Sequence, residues 1–93
     1  MPESSTLERS IVIQNRFGMH ARPAAEFVKL ANRFRAELWV KKDDLEVNAK
    51  SIMGVMMLAA EFGSEITIRA LGDDAPQALR ELCDLVDRKF GEE

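Results

Sequence analysis

Residues 36–48 read AELWVKKDDLEVN, and their alternation decides the fold. Ala36, Leu38 and Val40 share one face, against Glu37, Trp39 and Lys41 on the other. That is the period of a strand with one buried side. Lys42, Asp43 and Asp44 form a turn. Leu45 and Val47 (inward) with Glu46 and Asn48 (outward) then bring the chain back as a hairpin partner. A strand that stays polar on one face belongs to a sheet covered by helices on one side only. Residues 65–70 repeat the pattern, with Ile66 and Ile68 against Thr67 and Arg69.

Outward from the hairpin the period changes. In residues 21–35, Ala24, Phe27, Val28, Ala31 and Phe34 fall on one helical face, and Glu26, Lys29 and Arg33 on the other. Pro23 fits only the first turn, so the helix starts within a residue or two of His20. Ahead of it, residues 7–15 carry the β-branched run Ile11-Val12-Ile13 and read as a strand. Residues 16–19, with Gly18, end that strand. Residues 51–61 read as a second helix with Ser51 as N-cap and Gly63 past its end. Val55, Leu58, Ala59 and Phe62 would give its core contact. Asp73-Asp74-Ala75-Pro76 opens a third helix with the stripe Ala75, Leu79, Leu82, Val86 and Phe90. Arg88 and Lys89 suit its negative end, and Gly91 stops it. Residues 1–6 are polar and read as a frayed end. The result is an α/β (α+β) two-layer order, β-α-β-β-α-β-α, in a single domain over residues 7–91.

Ninety-three residues leave room for one core. Hydrophobic residues are 46% and charged residues 31%, which excludes a disordered or fibrous chain. Thirteen Lys and Arg against sixteen Asp and Glu give a net charge of −3. That argues against nucleic acid or an anionic membrane as the main partner. The one cysteine, Cys83, rules out an internal disulfide or a CxxC site and reads as packing beside the third helix's stripe. There is no apolar run of about 18 residues and no signal-peptide pattern. A cytoplasmic monomer, without membrane insertion, is the expectation.

The only histidine, His20, lies at a helix mouth in the segment GMHARPA, residues 18–24. Imidazole is nucleophilic only when neutral, and a helix N-terminus disfavours the imidazolium. Unpaired N–H groups and the positive dipole end also receive anions. Arg22 adds a planar cation able to bind phosphate oxygens in pairs. The combination suits a histidine that accepts a phosphoryl group. No acidic cluster for a metal, no P-loop pattern and no second histidine are evident, so neither metal nor cofactor is expected. A group accepted here would be kept until a partner takes it.

At these residues the chain resembles the HPr family, the histidine-containing phosphocarriers of the bacterial phosphoenolpyruvate-dependent phosphotransferase system. The segment from Gly18 to Ala24 carries the resemblance, together with KSIMGVM at residues 50–56. The resemblance implies an antiparallel four-stranded sheet of order 1-4-2-3 with three helices on one face. It implies that His20 takes phosphate from Enzyme I on Nδ1 and passes it to an enzyme IIA component, assisted by Arg22. A partner-binding surface including Met19, Ala21, Ile52, Met53 and Met56 is also expected. The context of Ser51 is similar to the one that HPr kinase/phosphorylase modifies, which makes Ser51 a candidate regulatory phosphoserine. Ala21 stands where many sugar-transport members have Thr, so the sugar-transport and the regulatory, nitrogen-related branches both stay open. Two other classes compete with the carrier reading. A small phosphohydrolase would turn over a phosphoester alone, and a regulatory module would keep the fold without the active histidine.

Ile52, Met53 and Met56 stand on a different face of the second helix from Val55 and Leu58. A short helix apolar all round is partly a binding surface, and methionine adapts to differently shaped partners. Trp39, on the polar face of its strand, covers otherwise open sheet.

Overall fold

The computed structural model describes residues 6–92, so the expected fraying of residues 1–5 lies outside the described residues; Thr6 has no regular structure. The elements are β1 Leu7–Val12, α1 Ala21–Ala31, β2 Glu37–Lys42, β3 Leu45–Asn48, α2 Ile52–Met57, β4 Glu65–Leu71 and α3 Ala75–Asp87, with a 3-10 turn over Lys89–Gly91. The four strands form one antiparallel sheet of order β1-β4-β2-β3, with the helices on one face as expected.

Register follows from the pleat. Val40 pairs with Ile68 on one side and Val47 on the other, and Ile11 pairs with Ile66. Leu38, Val40, Ile66, Ile68 and Ala70 are buried under the helices. Above them lie Ala24, Phe27 and Ala31 of α1, Val55 of α2, and Ala78, Leu82 and Val86 of α3. Truncating a buried leucine or phenylalanine of such a core to alanine costs about 2–5 kcal/mol. Cys83 packs here too, and burial pushes its thiol pKa up, so it is a core side chain rather than a nucleophile.

The other sheet face is polar. Ser10 and Thr67 hydroxyls share a 2.8 Å hydrogen bond. Arg69 donates to both oxygens of Glu46 at 2.7 and 3.1 Å, and its guanidinium lies 4.6 Å from the centroid of the Trp39 ring. Trp39 therefore carries a cation on the face that it covers. The Arg69 hydrogen bond holds Glu46 below the usual carboxylate range.

Two helix ends and several side-chain placements differ from the expectation. Helix α1 ends at Ala31, because the Asn32 side chain turns to the Val28 and Lys50 carbonyls, at 2.9 and 3.1 Å. Helix α2 ends at Met57 rather than residue 61: Ala59 is left-handed, with φ 49°, and Phe62 is exposed instead of packing in the core. Leu45 is exposed as well, since β3 is a short edge strand. Asp74 stands at the N-cap of α3 but makes no cap bond; its carboxylate accepts from the Arg35 and Ala36 N–H groups, at 2.9 and 2.8 Å.

Candidate functional site

The loop before α1 is shaped by Gly18. Its φ is +71°, and a Cβ there would lie 2.6 Å from the Ala60 carbonyl oxygen and 2.7 Å from the Glu61 Cα. Only glycine lets the two backbones meet this closely. The Met19 N–H then donates to the Ala60 carbonyl at 2.7 Å. His20 follows as the N-cap of α1 in extended conformation, φ −79° and ψ −171°, and its carbonyl accepts from the Ala24 N–H at 2.9 Å. Pro23, in the first turn, has no N–H to leave unpaired.

Extended backbone sends neighbouring side chains to opposite sides. Met19 consequently points into the core and is buried, which corrects the expectation that it faces a partner. His20 points out. Its imidazole makes no bond to its own helix. Nε2 lies 2.9 Å from Oε2 of Glu92, and the Phe17 ring meets the imidazole edge-on with centroids 6.2 Å apart. The His20 side chain remains 41% exposed, open enough for a partner to reach.

Arg22 is exposed two residues on and lines an open cleft with Gln14, Arg16, Phe17, Phe62, Lys89 and Glu92. Three cations, Arg16, Arg22 and Lys89, thus border the cleft beside the imidazole. A larger polar groove lies on the open sheet face around Lys41, Glu46 and Arg69, with no candidate site residue in it.

Helix α2 brings the second candidate. The Ser51 hydroxyl accepts from the Gly54 N–H at 3.0 Å, as an N-cap should. The neighbouring Lys50 ammonium donates to the Phe34 carbonyl at 2.7 Å, so it is partly occupied with the fold. Ile52, Met53, Met56 and Met57 are exposed, as are Phe17 and Phe62. Ala21 is exposed next to His20. Of the residues expected at a partner surface, Ala21, Ile52, Met53 and Met56 are thus exposed. Met57, Phe17 and Phe62 are exposed beyond those expected, and Met19 is buried.

Sequence reasoning missed Asn15 and Glu92. Asn15 is fully buried. Its amide donates to the Gly18 carbonyl at 2.7 Å and to Oε1 of Glu92 at 3.0 Å. Phe17 gave a signal that went unread: a large aromatic in a glycine-containing turn has little core to fill. Glu92 gave none, being 72 positions from His20. Among the described residues no group of three or more His, Cys, Asp or Glu could hold a metal ion, and no helix is long and apolar enough to cross a membrane.

Residues 7–88 match the family model described as the PTS HPr component phosphorylation site. The chain belongs to the HPr family. Phosphocarrier protein HPr of Neisseria meningitidis is 48% identical over 86 residues, which are 92% of this chain and 97% of that protein. HPr-like protein Crh of Bacillus subtilis is 42% identical over 83 residues, covering 89% and 98%. Among solved structures, HPr-C-His from Thermoanaerobacter tengcongensis superposes with a TM-score of 0.91 at 49% identity, covering 94% and 98%. Relatives named NPr, such as that of Shewanella violacea at 41% identity, and a T. tengcongensis HPr dimer, TM-score 0.76, also match. The HPr family assignment makes this chain a phosphocarrier of the phosphotransferase system, not a stand-alone enzyme.

Proposed function

We propose that His20 accepts a phosphoryl group from phospho-Enzyme I and passes it to enzyme IIA components in the cytoplasm. The observation that carries this reading is the placement of the chain's one imidazole. It stands at the open N-terminus of α1, beside Arg22 and the cation-bordered cleft. The lone pair of Nδ1 forms the new N–P bond while the donor's N–P bond breaks. Onward transfer reverses the roles. Little covalent work is asked of the protein, so positioning and charge neutralisation dominate. Arg22 supplies the second by pairing with phosphoryl oxygens.

Ile52, Met53 and Met56, with Ala21 beside the acceptor, serve as docking surface in this reading. An apolar, adaptable patch next to the acceptor suits a carrier that meets several proteins. Ser51 is a regulatory phosphorylation site for HPr kinase/phosphorylase. Phosphate there adds about −1.5 to −2 charges at the head of the patch and disfavours docking without unfolding the domain. Relatives named HPr, NPr and Crh leave two acceptor classes, sugar-uptake components and regulatory partners. The working form is a monomer, which light scattering at micromolar concentration checks.

The test is to incubate the protein with phosphoenolpyruvate and Enzyme I and locate acid-labile phosphate by mass spectrometry. The label is expected on His20 alone, and His20→Ala should carry none while keeping its circular dichroism spectrum. A labelled His20→Ala protein would sink the assignment.

A further inference from the structure

We infer that Glu92 is a positioning residue for His20: held by Asn15, it keeps the imidazole proton on Nε2 and leaves Nδ1 as the nucleophile. The inference rests on the phosphocarrier reading above and adds to it the group that sets the tautomer. A neutral imidazole has one donor and one acceptor nitrogen, and the partner of one decides the role of the other. A carboxylate oxygen can only accept. With Oε2 of Glu92 at 2.9 Å, Nε2 must be the donor.

The carboxylate is itself held in place. Its other oxygen, Oε1, accepts from the Asn15 amide at 3.0 Å, and the same amide donates to the Gly18 carbonyl at 2.7 Å. Both partners are pure acceptors, so they fix which end of the amide faces them. Asn15 is fully buried, and its Oδ1 has no hydrogen-bond partner among the described residues. A residue kept only for stability has better arrangements than a buried amide satisfied at one end.

The chain also goes out of its way to deliver Glu92. Lys89, Phe90 and Gly91 are successively left-handed, with φ of 59°, 57° and 75°. Two of them are not glycine, and such residues stay left-handed only when their surroundings compensate. Phe90, buried in the core, anchors the turn.

The chemistry balances. Attack of the Nδ1 lone pair on phosphorus forms the N–P bond, and the donor's bonding pair leaves with its own nitrogen. The ring then carries a positive charge with its proton still on Nε2, against the Glu92 carboxylate across the ring from the phosphoryl group. Onward transfer breaks the N–P bond, returns the pair to Nδ1 and leaves the neutral Nε2–H ring ready again.

Long-range proton–nitrogen correlation spectra of the His20 ring, the sole imidazole of the chain, read the tautomer directly. They are paired with steady-state transfer kinetics from phospho-Enzyme I, for wild type, Glu92→Gln and Glu92→Asp. Wild type is expected as the Nε2–H tautomer. A glutamine amide can donate as well as accept, so Glu92→Gln should populate Nδ1–H and lower kcat about tenfold to a hundredfold. KM for Enzyme I should be unchanged. Glu92→Asp, a retracted carboxylate, should recover part of both. A Glu92→Gln protein with wild-type tautomer overturns the inference whether or not it is slow, since a slow one would act through docking. A shifted tautomer at wild-type rate overturns it as well. A His20→Ala protein that is still labelled instead removes the phosphocarrier assignment itself, whatever the spectra show.

Discussion

Two helix starts in this molecule are built in opposite ways. At α2, Ser51 turns its hydroxyl back into its own helix and accepts from the Gly54 N–H. At α1, His20 occupies the same position but turns its side chain away from the helix, toward Glu92. The first arrangement satisfies a helix end and gains stability. The second leaves the helix end uncapped by its own residue and gains a place where an anion can bind. The direction of one side chain thus separates these two starts: inward at Ser51, outward at His20.

The largest test of that contrast is to put a charge on the closed end. Ser51→Asp should stay folded, because aspartate also caps helices. Yet transfer from Enzyme I to His20 should slow by orders of magnitude, since a like-charge contact at a docking surface can cost several kcal/mol. Initial rates at low and then high salt read this effect. A Ser51→Asp protein matching wild type at both would make Ser51 a cap and nothing more. Next comes the open end. Arg22→Ala should slow transfer about tenfold to a hundredfold, the worth of one charge-assisted contact of roughly 1.5–3 kcal/mol. Arg22→Lys should recover only part, because an ammonium cannot fork.

A smaller effect separates the two starts by stability alone. Ser51→Ala should cost about 1 kcal/mol in urea unfolding. His20→Ala should cost less than Ser51→Ala, as its side chain caps nothing. Equal losses would mean that the half-exposed contact with Glu92 is worth as much to the fold as the Ser51 cap.

The smallest effect concerns the third start, Asp74, whose carboxylate is turned toward the loop before β2. The Arg35 N–H, and after it that of Ala36, hold this carboxyl below its usual range. A lowered folded value means a contribution to stability that is complete above the ordinary aspartate pKa of about 3.9. It is lost as pH falls through the lower folded value. Asp74→Ala should therefore melt below wild type at neutral pH, with the gap closing in acid. A gap that widens as pH falls contradicts this reading.

The sheet was legible because a period of two is local: Leu38 and Val40, or Ile66 and Ile68, declare their face without reference to anything distant. Helix α2 was read too long for the complementary reason. Residues 59–62 have helical composition, but residues 60–61 must receive the loop carrying Gly18 and Met19, and the left-handed Ala59 ends the helix to allow it. Met19 was misplaced because proximity to His20 in sequence says nothing about which side of an extended backbone a side chain takes. The candidates His20, Arg22 and Ser51 stand out from residue types at helix starts. Asn15 and Glu92 could not, because their meeting depends on a left-handed turn at the other end of the chain.

The contact between Gly18 and the segment after α2 has a consequence for how the protein can diverge. The shelf that supports the acceptor loop is made of peptide groups, Gly18 and Met19 against Ala60 and Glu61. The patch beside it is made of exposed side chains, Met53 and Met57 among them. Exchanging an exposed side chain seldom disturbs a backbone, whereas a single methyl at Gly18 meets one directly. On the proposed docking role, mutation can thus retune which proteins the patch meets while the imidazole stays where it is. Partner choice and acceptor geometry can be inherited as separate traits, one free to drift and the other held by a residue with no side chain.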